Sequence, residues 1–185
     1  MDVKEAGEET LRDRSLLYSL RDGLAWSVMV GFGDHYLGPF ALFWGATTMQ
    51  MGVLASLPPF LGAVFQIFSA HVTDALRARR RIIVPAAGFQ GFLWILIFWI
   101  PAVAPPAAAP ALLIFFVALF SIAGHFTVPP WHSLMGDLVP QDRRGVYFAR
   151  RNRLCQIFTI VSAGIRSASH PPVRPPRSRP VALIT

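Results

Sequence analysis

Residues 82–103, IIVPAAGFQGFLWILIFWIPAV, and 111–131, ALLIFFVALFSIAGHFTVPPW, stand in a stretch that carries no Asp, Glu, Lys or Arg between Ile82 and Asp137. A soluble domain spreads about 25% charged residues along all of its amphipathic elements. This chain of 185 residues holds 15% charged and 54% hydrophobic residues, and a second charge-free run covers 49–73. Runs of that length belong in lipid. The basic excess, 17 Lys+Arg against 10 Asp+Glu for a net charge of +7, does not point to nucleic acid. A nucleic-acid binder needs a polar basic face to meet phosphates, and the charges here are clustered between apolar runs. The single Cys155 excludes an intrachain disulfide, a CxxC redox pair and a zinc cluster.

Outward from those two runs, four segments are long enough to cross a hydrocarbon layer of roughly 30 Å at about 1.5 Å per helical residue: 23–44, 49–72, 82–103 and 111–131. Trp26 and Trp44 lie about 27 Å apart along a straight helix, which predicts one indole in each interfacial belt of the first span. The links 45–48 and 104–110 are uncharged, whereas 74–81 holds four Arg and 137–153 holds five. Basic links stay on the cytoplasmic side, together with Lys4, Arg12, Arg14 and Arg21. The expectation is a multi-pass protein of the inner (plasma) membrane with its N-terminus in the cytoplasm.

Residues 1–22 mix Glu5, Glu8, Glu9, Asp13 and Asp22 with basic residues, so they do not read as a secretory signal. They read as a retained cytoplasmic segment, in which Leu11, Leu16, Leu17 and Leu20 suggest a short helix lying on the inner face of the bilayer. At the other end a partial fifth span, 154–165, reaches only about 18 Å, and 166–185 changes abruptly to a Pro/Arg-rich composition expected to be disordered. Two explanations stand: a reading frame lost near Ile165, leaving a truncated product, or a tail evolved for binding.

Helix association in lipid relies on small residues that allow close approach and on polar residues that bond across. Gly23, Ser27, Gly31, Asp34, Gly38, Ala41 and Gly45 form one such stripe. Gly52, Ser56, Pro59, Ala63, Gln66 and Ala70 form a second. The two are expected to pack on each other or to mediate self-association. Asp34 sits near the middle of the first span, where a carboxylate costs about 2.5–3.5 kcal/mol. It should therefore face a cavity or a partner. With His35 and His125 it can form a proton-handling group, or each can be a satisfied structural residue. Gln66 and Gln90 can bond substrate or a neighbouring helix. Gly31, Gly33, Gly38 and Pro39 soften the first span, Pro58-Pro59 should bend the second, and Pro129-Pro130 should end or kink the fourth.

The link AHVTDALRARRR, 70–81, places one carboxylate before an arginine cluster, and WHSLMGDLVPQDRRGVYF, 131–148, leads through ARRNR into the partial fifth span. Together with Gly38-Pro39-Phe40-Ala41-Leu42, Gly45-Ala46-Thr47-Thr48, Gly52-Val53-Leu54 and Leu57-Pro58, these segments resemble the major facilitator superfamily (MFS) over about residues 15–165. The family's loop between helices two and three reads Gly, three variable residues, Asp, basic, any, Gly, basic, basic. Aligned on Asp74, Ala70 replaces the first Gly, Ala75 the basic residue and Arg77 the second Gly, while Arg79 and Arg80 match.

The resemblance implies an all-α integral membrane protein, a polytopic helical bundle that forms part of the N-terminal half of a twelve-helix transporter. It further implies a cytoplasmic charge network casting Asp74 and Arg79 and Arg80 with Arg143, Arg144 or Arg150. The arginine-bearing helix-four motif of drug antiporters is absent from 112–127. The expected function is transport of a small solute, coupled to an ion or proton gradient. Asp34, His35, Gln66, Gln90 and His125 are the pathway candidates. A truncated, transport-incompetent protein and a four-helix self-associating protein are the alternatives. No GxSxG, Walker A or HExxH motif marks a catalytic or metal site, and no cofactor is expected. The expected partners are the lipid bilayer and an unidentified small molecule.

Overall fold

The computed structural model describes residues 3–76 and 79–169, and every regular element among them is helical. α1 runs Val3–Phe32, followed by a 3-10 turn Asp34–Tyr36 and α2, Leu37–Phe43. α3 is Thr48–Leu76, α4 Arg79–Val103, α5 Ala109–Leu138 and α6 Arg144–Ser169. Among the described residues three helices are long and apolar enough to cross a membrane: Thr48–Ala75 of α3, all of α4 and all of α5.

The expected first span, 23–44, is broken in the middle. Pro39 has no N–H, and its ring clashes with an α-helical carbonyl four residues earlier, at His35. The α-helical ladder therefore closes at Gly33, which donates to the Met29 carbonyl at 2.7 Å, and the chain tightens so that Tyr36 N–H reaches the Gly33 carbonyl at 2.8 Å. Glycine is needed at 33 because the Trp94 ring of α4 occupies the space a Cβ would take. Upstream, 1–22 forms no separate surface helix in its described part, because α1 is continuous from Val3 and about 45 Å long over its 30 residues.

The link to α3 is set by local chemistry. Gly45 takes φ +76°, and Ala46 and Gly45 donate to the carbonyls of Ala41 and Leu42, both at 3.0 Å, which is the double bond of a Schellman ending. Thr47 and Gln50 then bond reciprocally, Gln50 N–H to Thr47 Oγ1 at 3.2 Å and Thr47 N–H to Gln50 Oε1 at 2.9 Å, closing a capping box for α3.

Pro58-Pro59 and Pro129-Pro130 lie inside continuous helices, so α5 does not end near 131 but runs on to Leu138. Pro130 cannot donate to the Phe126 carbonyl. Ser69 Oγ of α3 donates to it instead, at 2.5 Å, and Ser69 is fully buried. Neighbouring hydroxyls that re-satisfy carbonyls freed by proline explain why such helices persist in apolar surroundings. Ser69→Ala should therefore cost about 1–3 kcal/mol, the penalty of a buried orphaned acceptor. Thermal unfolding in detergent measures it, and an unchanged midpoint would show that the bond contributes nothing.

α5 is the central helix, with α3 and α4 packed along it, and α1 pairs with α6. The core, including Ala41, Leu54, Ile97, Ile100, Leu113 and Val117, forms where α2 to α5 meet. The two small-residue stripes do not face each other. Gly23, Ser27 and Gly31 are buried against α6, where Thr159 donates to the Ser27 carbonyl at 3.4 Å. α3 turns the other way: Leu54, Pro58, Gly62, Ser69 and Thr73 are buried, while Gly52, Ser56, Pro59 and Ala63 are exposed. Ser69 must reach Phe126, and Gly62 must admit the His125 ring, whereas Ser56 is already satisfied within its own helix by the Gly52 carbonyl at 2.8 Å. α6 starts ten residues before the expected 154 and continues past 165 to Ser169. The remainder of the expected tail, 170–185, lies outside the described residues.

Candidate functional site

The helix break and the α3–α5 group enclose a cavity of about 530 Å3. Asp34, at the start of the 3-10 turn, lines it, and the buried Asp34 Oδ1 has no hydrogen-bond partner among the described residues. An orphaned buried polar atom costs free energy, so this position is not explained by packing. From the break the cavity follows α1 back to Trp26 and Asp22, roughly 18 Å of helix from Asp34, where Trp131 of α5 also lines it.

His125 and Gln90 enter the cavity by lying over glycines. The His125 imidazole occupies the space beside Gly62 of α3, and the Gln90 amide occupies that beside Gly124 of α5. His125 Nδ1 lies 2.9 Å from the Ser121 carbonyl, an acceptor only, so Nδ1 carries a proton and donates to it. In the neutral ring Nε2 is then an acceptor. Gln90 Nε2 donates to the Phe120 carbonyl at 3.5 Å, and Phe120 packs edge-on against Trp94 at 5.4 Å between centroids.

Of the five pathway candidates, the structure brings Asp34, Gln90 and His125 together. His35 is exposed and does not line this cavity. Gln66 lies on the outer side of α3, in a shallow surface pocket with His71 and Pro129. Ser121, Thr127, Trp26 and Trp131 also line the cavity and were not read from the sequence as site residues. Ser121 was accessible to that reading, because it sits four residues before His125 and so shares its helix face. Among the described residues no cluster of three His, Cys, Asp or Glu side chains is placed to hold a metal.

The charges of the basic links are arranged differently from the network that the resemblance implies. The cross-helix ion pair among the described residues joins Arg79 to Asp137, because antiparallel α4 and α5 bring those two helix ends together. Asp74 is exposed, in a polar niche with Thr73, Arg79 and Ser133, and pairs with none of Arg143, Arg144 and Arg150. Arg144 spends its donors on α5 carbonyls, Nε to Val139 at 3.0 Å and an amino group to Gly136, closing the C-terminal end of that helix. Arg143 lies 3.7 Å from its exposed neighbour Asp142, and Arg80 and Arg150 are exposed. Arg151 stacks on Trp131 at 4.6 Å and donates to the Ser19 carbonyl at 3.4 Å, fastening α6 to α5 and α1.

No family model matches the chain, and no curated protein or solved structure matches it.

Proposed function

We propose that the chain is an integral membrane protein and forms part of a small-solute transporter of the major facilitator type, with the cavity beside Asp34 as its solute site. The observation that carries this reading is the unpartnered Asp34 Oδ1, set at a helix break in a residue lining a cavity that also holds Gln90, Ser121 and His125. Broken helices that present polar groups at mid-depth are how transporters place a site in an apolar layer. The α1/α6 pair and the α3–α5 group contact each other far less than they pack internally. The basic segments support a cytoplasmic N-terminus and a plasma-membrane location.

Cysteines introduced singly at Thr47 and at Asp142 test the topology in a Cys155→Ser background. An impermeant thiol reagent added to intact cells should label position 47 and spare 142. Labelling of both, or of 142 alone, overturns the orientation. Gradient-dependent uptake of radiolabelled solutes by proteoliposomes carrying the full gene product tests transport, and uptake equal to that of empty liposomes overturns it.

Self-association is the second reading, favoured by the exposed Gly52, Ser56 and Ala63 face of α3. Ala63→Leu should then abolish crosslinked dimers, and dimers that persist in that variant count against this face.

A further inference from the structure

We propose that the cavity takes an organic cation, an amine or quaternary ammonium group carried on a small apolar or aromatic body. This rests on the reading of the cavity as a solute site and names its ligand class. The lining includes two carboxylates, Asp22 and Asp34, and no Lys or Arg. Arg151 is held by the Trp131 ring and the Ser19 carbonyl and does not line the cavity.

Beside the donors of the Trp26 and Trp131 indoles and the Ser121 hydroxyl, two side chains present acceptors. His125 spends its Nδ1 proton on the Ser121 carbonyl and offers the Nε2 lone pair. Gln90 spends its amide nitrogen on the Phe120 carbonyl and keeps its oxygen. A ligand that supplies positive charge or donors is therefore matched from several sides. An anion is repelled by the Asp34 carboxylate, with the exposed Asp22 carboxylate at the far end of the cavity, and a neutral hydrocarbon leaves Asp34 Oδ1 orphaned.

Trp26 and Phe120 add aromatic rings, which attract ammonium groups within about 6 Å of the ring centre, while the Trp131 ring already carries the Arg151 guanidinium. A volume of about 530 Å3 suits a ligand of drug-like size, since such sites span roughly 300–1,000 Å3.

The test is isothermal titration of the full chain in lipid nanodiscs, with empty-disc heats subtracted. The probes share one shape and differ in charge: benzyltrimethylammonium, its carbon isostere neopentylbenzene, and phenylmethanesulfonate. The cation should bind at least about tenfold more tightly than the hydrocarbon, and the sulfonate should not bind. Asp34→Asn should weaken the cation about tenfold or more and leave the hydrocarbon unchanged, while Asp34→Glu stays within about threefold of the parent. Equal affinities, preference for the sulfonate, no cation binding, or an Asp34→Asn chain with undiminished cation affinity overturns the proposal. Cation binding by a chain that moves no solute keeps this site and removes the transport reading. Uptake of some other solute with no cation binding does the reverse.

Discussion

Gly31→Leu is expected to part α1 from α6. A Cβ at position 31 would stand 2.7 Å from the Thr159 carbonyl oxygen and also inside contact distance of Ser162. The first of these is backbone, so no side-chain rotation relieves the overlap and one helix must move away from the other. Overpacking typically costs about 1–3 kcal/mol, and an obstacle made of main chain belongs at or above the upper end of that range. The pairing has a built-in reporter, because a Cβ at position 23 lies 3.0 Å from Cys155 Sγ. Gly23→Cys should thus form an intrachain disulfide with Cys155 once the Arg151 guanidinium, 2.6 Å from that Cβ, swings aside. Adding Gly31→Leu should suppress that bridge and lower the thermal midpoint in detergent. If bridging proceeds at the same rate in both backgrounds, the tight α1–α6 contact is not present in the protein.

The second large effect has two halves of opposite sign. Asp34→Asn removes a charge that has no partner at its buried oxygen among the described residues. Asn keeps a polar atom at that position but carries no charge, and a buried neutral amide costs less than a buried carboxylate, so the variant should melt at higher temperature than the parent. On the transport reading, gradient-driven uptake by the full-length protein should at the same time fall to background, because the group that responds to charge in the cavity is gone. A residue kept at a cost to stability and needed for activity is the pattern expected of functional sites. Retained uptake would falsify the coupling role of Asp34. A lower melting temperature would show that the carboxylate has a structural partner after all.

Charge-free runs made the three long apolar helices legible, since length and composition alone define them. The break in the first span was half legible. Gly33 and Pro39 were visible as soft points, but the spacing of Trp26 and Trp44 suggested an unbroken helix with an indole in each belt. In the structure Trp44 lies beyond the turn and packs against the core where α2 to α5 meet. The start of α3 was legible and overlooked, because Thr47 and Gln50 stand at capping-box spacing. The buried face of α3 was not legible. Two small-residue registers compete on that helix, 52/56/59/63 and 54/58/62/69/73, and the choice depends on Phe126 and His125 of a helix far away in sequence.

The site divides in the same way. Asp34, Gln90 and His125 stood out as polar groups in apolar runs, and they converge. His35 is exposed outside the cavity, because residues adjacent in sequence lie about 100–120° apart in either kind of helix and do not share a face. Gln66 was lost with the register of α3. In the basic links the sequence showed which residues were charged but not which helix ends would meet, so the pairing of Asp137 with Arg79 was not legible.

The pairing of α1 with α6 also sets a timetable for synthesis. Ser19 and Arg151, which bond across that seam, are separated by 132 positions in the chain. At about 5–20 residues per second the ribosome leaves α1 waiting for roughly 7–26 seconds before its partner emerges. During that interval the Gly23, Ser27 and Gly31 face has no α6 to cover it, while α3, α4 and α5, consecutive in the chain, can already assemble. The earliest helix made is thus among the last to find its place, and an insertase or chaperone that shelters it has its longest opportunity there.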